Sequence, residues 1–178
     1  DMGIYASDAL KCERQIAYRM YGADGLPFDI SSALAMFDGR VMEDCVVAAL
    51  DLLYKGRSQV RFDVEDGLVR GRMDYLYEMP RGTVVAEIKR TAAWPLKAAM
   101  KSGPKPEHWL QAALAAYSLS PTADFVHIIY VLRGSSQAGV PDVQEWLSPL
   151  SVHTDALNAE LHRMRGVSAQ VRAGDLPG

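Results

Sequence analysis

The spacing of apolar and polar residues changes along this chain, and each change marks an element. Residues 5–21 carry a broken helical stripe of Leu10, Ile16 and Met20, with Ser7 as candidate N-cap. A loop with Gly22, Gly25 and Pro27 follows. Residues 32–53 repeat the helical period, with Ser31 and Ser32 as candidate caps and Phe37, Val41, Cys45, Ala48 and Leu52 as the expected core stripe. After a break at Lys55-Gly56, three runs read as strands, near 58–64, 69–77 and 82–89. Asp66-Gly67 predicts a hairpin between the first two, and Met79-Pro80-Arg81-Gly82 a turn before the third. The three strands form an antiparallel meander. A Pro- and Lys-bearing connection, 91–106, holds a short helix starting at Pro95. A helix over 107–119 has Leu110, Leu114 and Tyr117 as its core face. The run 124–133 is apolar on both faces, as in a covered strand. A Gly/Ser-rich loop at 134–141 leads to a weaker strand at 142–147. A last helix, 152–172, buries Leu157, Leu161, Met164 and Val171. This order predicts an α/β fold in which helices flank a mixed central sheet that begins with an antiparallel meander.

Composition narrows the class without naming a chemistry. The chain has 178 residues, 49% hydrophobic and 23% charged, which suits one globular domain with a sizeable core. No run approaches the ~18 apolar residues of a membrane span, and no secretory signal is visible, so a cytoplasmic protein is expected. Cys12 and Cys45 are too few for a disulfide framework. The net charge of −3 argues against a uniformly basic nucleic-acid binder. The charge is uneven, however: from Arg81 to Lys105 there are six cations against Glu87 alone. Such a surface can hold phosphates on an acidic protein.

The third strand, Thr-Val-Val-Ala-Glu-Ile-Lys, puts Val84, Ala86 and Ile88 on one face and Val85, Glu87 and Lys89 on the other. Ionised groups on a strand of buried character need a partner, a metal or a task. If Asp74 on the neighbouring strand lies beside Glu87, two hard oxygen ligands meet, which suits Mg²⁺ or Mn²⁺. Lys89 would point to the same place, to orient or deprotonate a water or to offset charge on phosphorus. The bland alternative is an exposed Glu–Lys pair. Glu43, in line with Met36, Val47 and Leu50, is by spacing either a boundary residue beside Arg40 or a carboxylate aimed into a cavity.

Four stretches together resemble the PD-(D/E)XK nuclease superfamily, and within it the RecB-like branch that includes CRISPR-associated and phage exonucleases. These are Cys12-Glu13-Arg14 with Tyr18 and Gly22; Gly39-Arg40-Val41-Met42-Glu43; Gly71-x-x-Asp74 followed by Glu87-Ile88-Lys89; and His108-Trp109-Leu110-Gln111. The resemblance implies a restriction-endonuclease-like core over residues 1–178 as a single nuclease domain; the start at Asp1 in place of Met makes a processed, tagged or partial chain the expectation. It implies Glu43, Asp74 and Glu87 as metal ligands with the Ile88 carbonyl nearby, Lys89 as catalytic lysine, and Gln111 supporting the lysine or touching DNA. The glutamate at 43 stands where the branch commonly has histidine. Where the branch usually carries tyrosine, four residues after the glutamine, this chain has Ala115; Tyr117 is rotated about 240° from Gln111 and reads as core.

The expected activity is metal-dependent DNA hydrolysis, as an exonuclease using Mg or Mn, on single- or double-stranded DNA. The alternative is a degenerate DNA-binding or assembly subunit. Arg14, Arg90, Lys97, Lys101, Lys105 and His108 are the expected DNA contacts, and protein partners from a repair, phage or CRISPR complex are implied. Iron–sulfur members of the branch need four cysteines. A cluster would therefore require cysteines beyond residue 178, and Cys12 is expected to be a buried structural residue. His127 is expected to be a satisfied core histidine, with His153 and His162 near the surface.

Overall fold

A computed structural model describes residues 3–23, 29–119, 121–133 and 142–177; the predicted loop at 134–141 lies outside them. Six strands form one mixed sheet: β1 (Ile4–Tyr5), β2 (Gly56–Val64), β3 (Val69–Met79), β4 (Gly82–Thr91), β5 (Phe125–Leu132) and β6 (Val143–Pro149). β2, β3 and β4 make the antiparallel meander, β5 lies parallel to β4, and β6 closes the sheet antiparallel to β5. The short β1 lies parallel to β3, pairing Ile4 with Val69 and Tyr5 with Arg70. The helices are α1 (Glu13–Met20), α2 (Ile30–Leu53), α3 (Ala93–Ser102), α4 (Pro106–Tyr117) and α5 (Thr154–Arg172).

The fold class is the predicted one, but several local expectations change. The helix expected over 5–21 breaks into β1, a 3₁₀ turn at Ala6–Asp8 and α1. Leu10 interrupts it with a left-handed φ of 59°, which no helix accommodates. The buried Asp8 carboxylate organises this break, accepting hydrogen bonds from the Tyr5 N–H at 2.9 Å, from Lys11 and from Arg19. Asp29 caps α2 through the Ser32 N–H, in place of Ser31 or Ser32.

The α2 stripe is also corrected. Phe37 is 67% exposed and Leu52 87%, with Val41 and Cys45 exposed as well; the side facing the sheet carries Met42, Val46, Val47 and Leu50. Cys12 is exposed just ahead of α1 and is not a buried structural residue. Tyr117 is 41% exposed in the last turn of α4, so it is not core.

Two layers of helix cover the sheet. On one face α2 packs on Tyr75, Tyr77, Val84, Ala86, Ile88 and Ile129. On the other, α4 lies between two apolar clusters. Leu110, Ala113 and Leu114 meet α1, α5 and β1, while Ala112, Ala115 and Ala116 meet α3 and the strands β3 to β5. Alanine along α4 lets the helix bury several sides without overfilling either cluster. The last helix buries its predicted residues Leu157, Leu161, Met164 and Val171. No helix among the described residues is long and apolar enough to cross a membrane.

Candidate functional site

The sheet divides where β3 and β4 part. These strands pair from Met79–Gly82 to Tyr75–Ala86, and there the ladder ends. From Val84 to Thr91, β4 pairs with β5 along its other edge. Asp74 and Glu87 are the first residues past the last β3–β4 pair, so the fork opens at two carboxylates. The Asp74 carboxylate spans the opening, with Oδ2 accepting the Ile88 N–H at 2.7 Å. A side chain therefore satisfies an amide that the ladder no longer reaches.

Strict alternation of faces also fails at this point. Met73 packs with Leu76 and Val85 on the α4 side, whereas Tyr75 and Tyr77 pack on the α2 side. The β2–β3 register skips from Ser58–Tyr75 to Val60–Met73, and in that gap Gln59 has a left-handed φ of 55°, unusual for a non-glycine residue inside a strand. Its side chain donates a hydrogen bond from Nε2 to Glu43 Oε1. Gln59 was missed by sequence reading, because a polar residue in a half-exposed strand carries no signal.

Glu87 is 2% exposed and forms an ion pair with Lys89. Its buried Oε1 is the oxygen that meets Lys89 Nζ, and no other donor among the described residues reaches it. Burial, then the Asp74 charge, pushes the Glu87 carboxyl up to about 8. Burial and Asp74 likewise push Glu43 to about 7, and burial raises Asp74 against the opposing Ile88 N–H. Three carboxyls held above their ordinary range show a site with too little positive charge. Burial works against the Lys89 ammonium, but Glu87, Asp74 and Glu43 outweigh it and its pKa is raised. Lys89 is thus a cation at neutral pH.

The sequence-predicted residues are only partly brought together. Asp74, Glu87 and Lys89 share the fork, and Glu43 reaches its margin from α2 through Gln59. Yet among the described residues no three His, Cys, Asp or Glu side chains stand close enough to enclose a metal ion. A cavity of about 230 Å³ beside Glu43 is lined by Arg40, Asp44, Gln59 and Arg72. Gln111 is half-buried on α4 and, among the described residues, forms no hydrogen bond with Lys89 or the carboxylates.

The expected DNA contacts scatter. Arg90 is engaged by Asp38, so its charge is already answered within the protein. Arg14 lies away from these residues in sequence, on α1, where it lines a cavity of about 790 Å³ with Lys11, Arg19 and the buried Asp8. Lys97, Lys101 and Lys105 are exposed on and after α3. His108 Nδ1 meets the Tyr130 hydroxyl at 2.6 Å, and burial, then the Lys89 charge, pushes its pKa down to about 4. His108 can therefore meet a phosphate only as a neutral hydrogen-bonding group. His127 is buried between the Tyr77 hydroxyl at 2.9 Å and Glu145 at 3.0 Å, the satisfied core histidine expected.

No family model matches this chain, and no curated protein matches its sequence. Solved structures do resemble it. An alkaline exonuclease (LHK-Exo) from Laribacter hongkongensis superposes with a TM-score of 0.66 at 14% identity, over 96% of this chain and 90% of that one. LHK-Exo in complex with dAMP gives 0.61 at 16% identity, covering 97% and 92%. A phage-related exonuclease from Haemophilus somnus 129PT gives 0.59 at 11% identity, covering 97% and 96%. At these identities the likeness is one of fold: a restriction-endonuclease-like core over nearly the whole of each chain.

Proposed function

We propose that this chain is a metal-dependent DNA nuclease of the PD-(D/E)XK superfamily, RecB-like, acting as an exonuclease. The observation that carries the reading is the fork at Asp74, Glu87 and Lys89, where the Lys89 ammonium pairs with a buried Glu87 beside Asp74, amid carboxyls of raised pKa. The donor set fits a hard divalent ion. Mg²⁺ takes one or two carboxylates and completes its shell with waters and phosphate oxygens, so it does not need three converging side chains. Asp74 and Glu87 would hold it, with the Ile88 carbonyl and Glu43 adjoining. A bound Mg²⁺ or Mn²⁺ would supply the charge that makes water nucleophilic near neutral pH and draws electron density from the phosphate.

The remaining work falls to the chain. Asp74 fixes the fork through the Ile88 amide, so donor positions do not drift as substrate enters. Lys89, held as a cation, is a poor base at neutral pH. Its role is to place an ammonium where negative charge builds on the phosphoryl oxygens. Gln59 orients Glu43. The exonuclease names of the solved relatives support the reaction class, as does the cationic stretch from Arg81 to Lys105.

The test is hydrolysis of end-labelled single- and double-stranded DNA with Mn²⁺ or Mg²⁺. Wild type should cut and stop with EDTA, while Asp74→Asn and Lys89→Ala should lose at least about 100-fold in rate with unchanged far-UV circular dichroism. A wild type that binds DNA equally with and without metal and never cuts would instead be an assembly subunit.

A further inference from the structure

α3 turns its apolar side to the protein through Leu96 and Ala99, both buried against the strands. The opposite side carries Trp94, 79% exposed. At about 100° per residue, Lys101 lies roughly 20° and Lys97 roughly 60° from Trp94 around the helix. The exposed stripe is therefore one indole with two ammonium groups, both on the same side of it around the helix and toward the helix C-terminus. Among the described residues neither lysine has a carboxylate partner. Beside the indole runs a groove of about 460 Å³, walled by Trp94, Pro95, Ala98, Pro104, Lys105 and Pro106. Its lining is apolar apart from Ser102 and Lys105, and Lys97 and Lys101 stand on the other side of the indole, outside it.

This groove is tied to the fork. Lys89 pairs with Tyr130 in the β4–β5 register. The Tyr130 hydroxyl accepts the Lys105 N–H at 3.1 Å and contacts His108 Nδ1 at 2.6 Å. The groove wall is thus anchored to the strand residue next to the catalytic lysine. Trp94 itself follows Lys89 by five residues, across the end of β4.

We propose that the Trp94 groove is a nucleobase subsite, in which an unpaired base of the substrate strand stacks on the indole while Lys97 and Lys101 hold the neighbouring phosphates. A flat apolar face with two cations beside it matches a nucleotide in both shape and charge, and aromatic stacking is sequence-tolerant because every base offers a π-face. A base held in a duplex cannot present that face, so the subsite selects single strands or frayed ends. This rests on the nuclease reading for its choice of substrate.

Binding is measured by fluorescence anisotropy with labelled single-stranded DNA and a closed-ended duplex hairpin, on the non-cutting Lys89→Ala background with Mn²⁺. Trp94→Ala should weaken single-strand binding by about 5- to 150-fold, Trp94→Phe should retain most of it, and hairpin affinity should hardly move. Lys97→Gln and Lys101→Gln should each reduce the log–log salt slope for single strands by about 0.7. Trp94→Ala with undiminished single-strand affinity overturns the proposal. So does an equal loss on the hairpin, or a change only in the light-scattering mass, which would assign Trp94 to contact between copies. Cleavage by otherwise wild-type protein separates the two readings. If Trp94→Ala binds and cuts single strands normally, the subsite fails while the nuclease stands. If wild type binds through Trp94 and never cuts, the nuclease reading fails and the subsite stands.

Discussion

Replacing Glu87 by glutamine should abolish cleavage and, without metal, stabilise the fold in a pH-dependent way. Glu87 is 2% exposed, and its carboxyl rises from 4.5 to about 8 in the folded chain. At 1.36 kcal/mol per pH unit this gap corresponds to about 5 kcal/mol of penalty on the ionised folded form. The sign follows from proton linkage. Below pH 4.5 the carboxyl is protonated in both states and costs nothing. Between 4.5 and about 8 the unfolded chain releases its proton while the folded chain keeps it, so stability falls as pH rises. Lys89 and neighbouring carboxyls share the titration, so we expect about 2–3 kcal/mol, or about 5–10 °C in melting temperature for a chain of this size. The assay is thermal melting in EDTA at pH 5 and pH 8. Glu87→Gln should melt well above wild type at pH 8 and close to it at pH 5. Adding Mg²⁺ at pH 8 should raise wild type and leave the variant still, because only wild type holds the ion. Parallel pH profiles for the two proteins would refute the account of a charge-starved fork.

Three further outcomes follow from the geometry. Gln59→Gly should relieve the left-handed backbone and hold or raise stability by about 1 kcal/mol while slowing cleavage about tenfold as Glu43 loses its orienting donor; unchanged rates would remove Gln59 from the site. Tyr77→Phe should strip His127 Nδ1 of its partner and cost about 1–3 kcal/mol in urea unfolding, with cleavage intact because this contact involves His127 and no fork residue. Asp8→Ala should leave the Tyr5 N–H without its acceptor and cost about 1–3 kcal/mol, read by the same denaturation; a loss under about 0.5 kcal/mol would show that the turn at Ala6–Asp8 does not depend on it.

The strands and the fork were legible because two independent signals coincide there. Val84, Ala86 and Ile88 alternate with Val85, Glu87 and Lys89, and the acids and lysine sit where such a strand has no ordinary reason to carry them. α2 was legible as a helix but not in its orientation. Leu34, Phe37 and Val41 compete with Met42, Val46 and Leu50 for the sheet, so a helix apolar on several sides gives no single stripe to read. β1 is two residues long and exists only because β3 has a free edge below the fork, which no local pattern announces. Leu10 and Gln59 adopt left-handed backbone that their side chains do not favour, so tertiary contacts decide them. The Trp94 stripe lay within the basic segment, yet only the burial of Leu96 and Ala99 shows which side of α3 faces outward.

The Ile88 amide also makes the fork observable. Its proton is held at 2.7 Å by a side-chain carboxylate in place of a strand partner, so its chemical shift and solvent-exchange rate depend on the charge Asp74 carries. In a ¹⁵N-labelled sample this one resonance should move as Asp74 gains a proton or as a divalent ion competes for the same oxygen. It offers a spectroscopic gauge of the centre that needs neither substrate nor turnover.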